Sequence, residues 1–160
     1  MLARTMPSIP MGAIGVSQNN GHLRTLLGSC IGLALFDRIH KVGALAHIVL
    51  PASNGKCELP GKFVDTAVPE MLRQMEKVIG DERLKLTAKI AGGANMFGAT
   101  SASVATVGNL NIAAIERLLE EHRIPITARH LGGEQGRRMT LDTTTGIVTI
   151  EIVGAETVTL

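Results

Sequence analysis

The sequence contains no tryptophan, no tyrosine and only three phenylalanines among its 160 residues. Aliphatic side chains must therefore build the hydrophobic core, and nucleic-acid modules that stack bases on aromatic rings are disfavoured. The formal net charge is only +2, and Arg137 with Arg138 forms the single adjacent pair of basic residues. A surface that binds polyanions normally carries a denser basic stripe. We therefore expect no nucleic-acid partner.

Long hydrophobic runs and cysteines are also scarce. No apolar run approaches the length of a membrane span, and the N-terminal residues lack the sustained apolar segment of a signal peptide. These absences favour a cytoplasmic protein without membrane insertion, in which the two cysteines, Cys30 and Cys57, stay reduced. Neither cysteine has CxxC spacing or a paired-histidine motif nearby, so we expect no metal site. Cys57 lies in a segment rich in turn formers and is interpreted as incidental.

Apolar residues make up 45% of the chain, which is enough for one core in a single domain over residues 1–160. Apolar residues at three- and four-residue spacing predict two helices: one capped by Asp65 or Thr66 and ending at Gly80, the other covering about 111–122. Short or alternating apolar runs predict strands at 12–16, 23–27, 31–36, 43–50, 84–91, 126–131, 138–141 and 147–152. This order predicts the α+β class, with a mixed β core and two helices packed outside it.

The segment DRIHK separates two predicted strands and has the right length for a hairpin turn. If the turn is centred between Arg38 and Ile39, Cys30 lies directly opposite His47, with Cβ atoms about 4.5–5.5 Å apart. A slip of one residue would send one of the two side chains to the other face of the sheet.

This pairing would suit nucleophilic catalysis. A protonated His47 would lower the pKa of Cys30 and make a thiolate available. Gly28 and Ser29 place Cys30 at a turn, where backbone N–H groups left unpaired by the sheet could stabilise an oxyanion. A hydroxyl from Thr25 or Ser29 could hold the imidazole. The alternative is structural, because a buried cysteine and a histidine in an apolar strand more often only pack in the core.

Four segments of the chain, taken in order, resemble successive blocks of the CheD family of chemoreceptor glutamine deamidases. These are LLGSCIGLALFD, KVGALAHIVLP, PGKFVDTAVPEML and LKLTAKIAGGANMF, and the similarity extends over about residues 10–150. The resemblance implies that Cys30 is the catalytic cysteine and His47 the catalytic histidine. It also implies a threonine a few residues before the cysteine, for which Thr25 is the natural match.

The resemblance further implies what the protein does. Members of the family convert glutamines of chemotaxis receptors to glutamates with release of ammonia, and the reaction requires no organic cofactor. The implied fold is a β-sandwich-like core of layered mixed β-sheets with two or three outer helices, related to the deamidating domain of cytotoxic necrotizing factor toxins. The implied partners are the cytoplasmic domains of chemoreceptors and the phosphatase CheC. Two alternatives stay open: a transglutaminase that uses the same site, and a non-catalytic adaptor that binds receptors or CheC.

Overall fold

The computed structural model of the protein describes residues 8–55, 58–95 and 106–160. Within these ranges, nine strands and two α-helices follow one another, and a short 3₁₀ helix at Pro60–Lys62 precedes the first α-helix. The elements are β1 (Ile14–Gln18), β2 (His22–Leu27), β3 (Ile31–Asp37), β4 (Val42–Ile48), α1 (Val64–Ile79), β5 (Leu86–Gly92), α2 (Val107–Glu121), β6 (Ile126–Leu131), β7 (Arg137–Asp142), β8 (Val148–Glu151) and β9 (Val158–Thr159).

The strands form two sheets, one of five strands in the order β1-β4-β3-β5-β6 and one of four strands in the order β2-β7-β8-β9. The five-stranded sheet is mixed, because β5 and β6 run parallel while its other neighbours are antiparallel. One apolar cluster joins this sheet to α1 and α2, and a second cluster lies between the two sheets. The predicted α+β class, with layered sheets and outer helices, is confirmed.

The central strands β3 and β4 are buried along their whole length. One face of each strand packs against the helices and the other against the four-stranded sheet, so IGLALFD and VGALAHI read as nearly continuous apolar runs. Polar groups inside these strands are consequently removed from water, and His47 of β4 is one of them. Such groups need hydrogen-bond partners within the protein.

Both α-helices begin at residues other than the predicted ones. Helix α1 begins at Val64, and its N-cap residue is Phe63, which makes no side-chain cap. Asp65 instead accepts hydrogen bonds from Ser53, and Thr66 donates to the Pro60 carbonyl, so both predicted caps are wrong. The predicted end at Gly80 is confirmed, and this glycine has a φ of 74°.

Helix α2 begins four residues earlier than predicted. The Thr106 hydroxyl accepts a hydrogen bond from the Asn109 N–H and so caps the helix at its observed start. The two-residue strand β9 is too short for any sequence pattern, and its residues pair with the edge of β8. Neither helix in the described part of the chain is long and apolar enough to cross a membrane.

Candidate active site

The β3–β4 hairpin forms with a register different from the predicted one. Gly32, not Cys30, lies opposite His47. The cause is the turn: the Asp37 carboxylate accepts hydrogen bonds from the N–H groups of Ile39 and His40 and holds a four-residue loop instead of a two-residue one. The prediction that Cys30 lies directly across from His47 is therefore wrong by two residues.

A shift of two residues keeps every side chain on its predicted face. Cys30 immediately precedes β3 and is diagonal to His47, with the Cα atoms about 7–8 Å apart by strand geometry. Cys30 belongs to the cluster between the two sheets, together with Leu45, which shares a face of β4 with His47. The two side chains thus lie on the same, inward face of the five-stranded sheet.

The four-stranded sheet approaches this face closely at Gly32. A Cβ atom at Gly32 would lie 2.5 Å from the Sδ atom of Met139 and 2.9 Å from a methyl carbon of Leu27. With any larger residue at this position, the ends of the Met139 and Leu27 side chains would have to shift, since real Cβ atoms do not come so near other heavy atoms. The glycine opposite His47 therefore allows residues of β2 to reach the imidazole.

Thr25 of β2 makes this contact and fixes the tautomer of the imidazole. Its Oγ atom lies 2.7 Å from Nδ1 of His47 and 2.7 Å from the carbonyl oxygen of Ile9. Because a carbonyl can only accept, the single Thr25 proton goes to Ile9, and Oγ must accept the proton of Nδ1. The neutral ring then carries no proton on Nε2, which is left with a lone pair that can act as a base.

Burial shifts the pKa of both side chains in the Cys30–His47 pair. Thr25 is fully buried, His47 is 4% exposed and Cys30 is 9% exposed. Burial lowers the pKa of His47 below its ordinary value of 6.5, and the Ile9 carbonyl only partly opposes this shift. Burial likewise raises the pKa of the Cys30 thiol. Burial thus favours the neutral form of each group, whereas the sequence predicts that a protonated His47 stabilises a Cys30 thiolate.

The turn that carries Cys30 (residues 28–30) is held by hydrogen bonds from the segment after β5 (residues 93–95). The N–H of Gly93 donates to the Cys30 carbonyl at 2.9 Å, and the N–H of Ala94 donates to the Gly28 carbonyl at 3.0 Å. A Cβ atom at Gly92 would lie 2.2 Å from the Cys30 carbonyl oxygen, and Gly92 has a φ of +112°. No local pattern in the sequence reveals this role of Gly92 and Gly93, because it depends on a tertiary contact with the Cys30 turn.

The backbone before the thiol offers hydrogen-bond donors. Among the described residues, no backbone carbonyl accepts from the N–H of Ser29 or of Cys30. Gly28 contributes through its carbonyl, which accepts from the segment after β5. The Ser29 hydroxyl makes no contact with His47 among the hydrogen bonds of the described residues, and Thr25 takes that position instead.

Other groups considered from the sequence do not join this site. Cys57 lies outside the described residues. Within residues 8–55, 58–95 and 106–160, no three histidine, cysteine, aspartate or glutamate side chains are placed to hold a metal ion. An open groove of about 1020 Å³ adjoins Leu27 and Gly28, but Cys30, His47 and Thr25 do not line it. The Cys30–His47 pair therefore lies between the two sheets and outside this groove.

The chain is similar to named proteins over most of its length. The family model described as CheD chemotactic sensory transduction matches residues 49–152. A protein of Methanococcus vannielii named as a probable chemoreceptor glutamine deamidase CheD is 46% identical over 143 residues, which cover 89% of this chain and 92% of that protein. A Clostridium kluyveri protein of the same name is 45% identical over 131 residues, 80% of each chain. Thr25, Cys30 and His47 precede the interval matched by the family model. The matched interval and the similarity to these relatives together show that the chain belongs to the CheD family.

Proposed function

We propose that this protein is an amidohydrolase that converts glutamine side chains of chemoreceptors to glutamates, with Cys30 as the nucleophile. His47 would serve as base and then acid, and Thr25 would hold the imidazole. The observation that carries the proposal is the short hydrogen-bonded series from His47 Nδ1 through Thr25 Oγ to the Ile9 carbonyl. It leaves Nε2 free as a base on the face that Cys30 shares. The names of the relatives supply the substrate class.

The first half of the reaction forms a thioester. His47 Nε2 takes the Cys30 proton as the sulfur attacks the carbonyl carbon of the glutamine side chain, because burial raises the pKa of the thiol and favours its protonated form. The C=O bond becomes a single bond to an oxyanion, which the N–H groups of Ser29 and Cys30 would stabilise. Collapse of this intermediate breaks the C–N bond. The protonated Nε2 delivers its proton to the leaving nitrogen, which departs as ammonia.

The second half hydrolyses the thioester. Water takes the place of ammonia and gives a proton to Nε2 as its oxygen attacks the thioester carbon. The second tetrahedral oxyanion uses the same backbone donors. When the C–S bond breaks, the sulfur recovers the proton from His47, and the product leaves as glutamic acid, which loses its proton to water to give glutamate. Every proton transferred within the site passes through Nε2, so the reaction depends on the tautomer that Thr25 fixes.

Analysis of the products tests this function. Cytoplasmic fragments of the cell's own chemoreceptors are incubated with the protein, and each glutamine is followed by mass spectrometry, with a Cys30→Ala sample as the control. Glutamate formed only by the intact protein is the expected result. Amine adducts that depend on Cys30 would indicate a transglutaminase instead. Receptor binding without either product would indicate an adaptor, and CheC added to the mixture would show whether it competes for the same surface.

The acid limb of the pH profile should reveal the buried imidazole. Protonation of His47 removes the base, so kcat/KM should fall as the pH decreases. Because burial lowers the pKa of His47, the midpoint of this fall should lie below the ordinary 6.5 and activity should persist into mildly acidic solution. Measurement of kcat/KM on one receptor fragment between about pH 5 and 8 checks this. A midpoint at or above 6.5 would contradict a buried, neutral base.

Removal of the Thr25 hydroxyl should slow the reaction without abolishing it. Thr25→Val keeps the shape of the side chain but leaves the Nδ1 proton without an acceptor, so the imidazole loses its fixed orientation. We expect kcat to fall about ten- to hundredfold, equivalent to about 1–3 kcal/mol, the range for a buried donor left without its partner. Thr25→Ser retains the hydroxyl and is the matched control, expected to stay within about threefold of the original rate. Equal rates for the valine and serine variants would show that the hydroxyl does not act on His47.

A further inference from the structure

The two adjacent arginines of β7 lie in opposite environments. The Arg138 side chain is 44% exposed and lies 3.7 Å from the Glu151 carboxylate. Arg137 is only 4% exposed, and no carboxylate of the described residues pairs with it. Burial of a charge without a counter-ion disfavours folding. The buried guanidinium of Arg137 therefore depends on hydrogen bonds within the protein.

The guanidinium of Arg137 binds the backbone around the turn that connects β6 to β7. Its Nη1 atom donates to the carbonyl of His130 and to Nδ1 of the same residue, both at 2.8 Å. Its Nη2 atom donates to the carbonyls of Gly132 and of Gln135, the latter at 3.3 Å. Among the residues that the structure describes, none accepts a hydrogen bond from its buried Nε–H. The rigid planar fork thus fixes one carbonyl at the end of β6 and two carbonyls of the β6–β7 turn relative to one another.

The β6–β7 turn in turn holds the segment after β5. The N–H of Gly132 donates to the Gly92 carbonyl at 3.0 Å, and the N–H of Asn95 donates to the Gly133 carbonyl at 2.8 Å. The same segment after β5 donates two backbone hydrogen bonds to the turn that carries Cys30. A continuous series of hydrogen bonds therefore leads from the buried guanidinium to the backbone of the nucleophile.

Arg137 also lies beside the other end of the Cys30 turn. It pairs in the β2–β7 ladder with Leu27, which directly precedes Gly28. A Cβ atom at the neighbouring Gly136 would approach the Leu27 carbonyl oxygen to 3.1 Å. Both flanks of the Cys30 turn are thus connected to one side chain, on one flank through the β2–β7 ladder and on the other through the segment after β5.

We propose that Arg137 is a positioning residue for Cys30, which holds the β6–β7 turn and the segment after β5 in the arrangement that the nucleophile turn requires. The inference rests on the proposed function in taking Cys30 as the nucleophile. Arg137 acts through the backbone, and its effect belongs to kcat rather than to receptor binding.

Two substitutions of Arg137 test this role against a matched neighbour. Arg137→Met keeps length without donors, while Arg137→Lys keeps the charge but cannot reach three carbonyls from one nitrogen. Arg138→Met, one residue along the same strand, is the control. We expect kcat for receptor deamidation to fall about a hundredfold in the methionine variant and about tenfold in the lysine variant, with KM within about twofold, since displacement of a reacting group by about 1 Å has effects of this size.

A second measurement needs no receptor. Iodoacetamide alkylation of Cys30 is followed by peptide mass spectrometry, which separates it from Cys57, at a temperature well below each variant's melting midpoint. A loosened turn exposes the thiol and moves its pKa back toward the ordinary value, so alkylation at neutral pH should become at least about threefold faster while deamidation becomes slower. Because unfolding would change both rates in the same two directions, the comparison is made only where each variant is fully folded, and there faster alkylation with slower deamidation reports displacement of the turn.

Each outcome decides the proposal. Folded Arg137 variants with unchanged kcat and an unchanged pH profile of Cys30 alkylation would overturn it, as would equal losses in Arg138→Met. If the methionine variant does not fold, the lysine variant is judged by the same two criteria. If the unsubstituted protein deamidates no receptor, the proposed function fails, and alkylation of Cys30 alone decides whether Arg137 positions the turn.

Discussion

Substitution of Cys30 by serine is expected to eliminate deamidation, with a fall in kcat of about 10⁴-fold or more. Serine has nearly the same size, and the inter-sheet cluster around Cys30 should stay packed. A hydroxyl is nevertheless a much weaker nucleophile than a thiol, and a buried imidazole whose pKa is already lowered is a weak base for it. The measurement is the initial rate of glutamate formation on a receptor fragment.

The chain's second cysteine provides the control for this experiment. Cys57→Ser removes the same chemical group elsewhere in the sequence and should leave the rate unchanged. A thioester trapped at low temperature should be found on the peptide that contains Cys30 and on no other peptide. Retention of more than about a hundredth of the rate in Cys30→Ser would mean that the thiol is not the nucleophile.

Substitution of His47 by asparagine should have the second-largest effect, a loss of about 10⁴-fold in kcat. The asparagine amide nitrogen can take the place of Nδ1 and still donate to Thr25 Oγ, so the contact between the sheets is kept. What disappears is Nε2, the atom through which every proton transferred within the site passes in the proposed mechanism. The variant therefore separates the catalytic role of the imidazole from its structural one.

Two further measurements complete this prediction. The exposed His122, substituted in the same way, should behave like the original protein. Thermal unfolding of His47→Asn should stay close to that of the original protein, because the buried hydrogen bond to Thr25 is preserved. A folded His47→Asn variant that retains a tenth of the original rate would exclude His47 as the base.

The local pattern of the sequence predicted most of the fold. The alternation in LKLTAKIA predicts a strand over residues 84–91, and strand β5 at Leu86–Gly92 confirms it. Where the prediction was wrong, a side-chain hydrogen bond had changed the length of a turn or the start of a helix. The Asp37 carboxylate lengthened the hairpin loop, and Thr106 capped α2 before its apolar pattern begins.

The site was only partly predictable. The period of two in a strand placed Cys30 and His47 on one face even though the register was wrong. The position of Thr25 relative to His47 could not follow from strand pairing, because β2 belongs to the other sheet. The burial of Arg137 was not predicted either. Alternation along β7 turns one of the two adjacent arginines inward and the other outward.

The contact between Thr25 and His47 also bears on the order in which the chain folds. The five-stranded sheet alone carries Cys30 beside β3 and His47 on β4, but the acceptor that sets the imidazole tautomer arrives only with β2 of the second sheet. β2 in turn pairs with β7, more than a hundred residues later in the chain, and such distant pairings form late in folding. A chain that is still being made, or only half assembled, therefore has a thiol and an imidazole but no oriented base. Under the proposed mechanism, deamidation therefore begins only when the two sheets dock, and incompletely folded molecules do not deamidate.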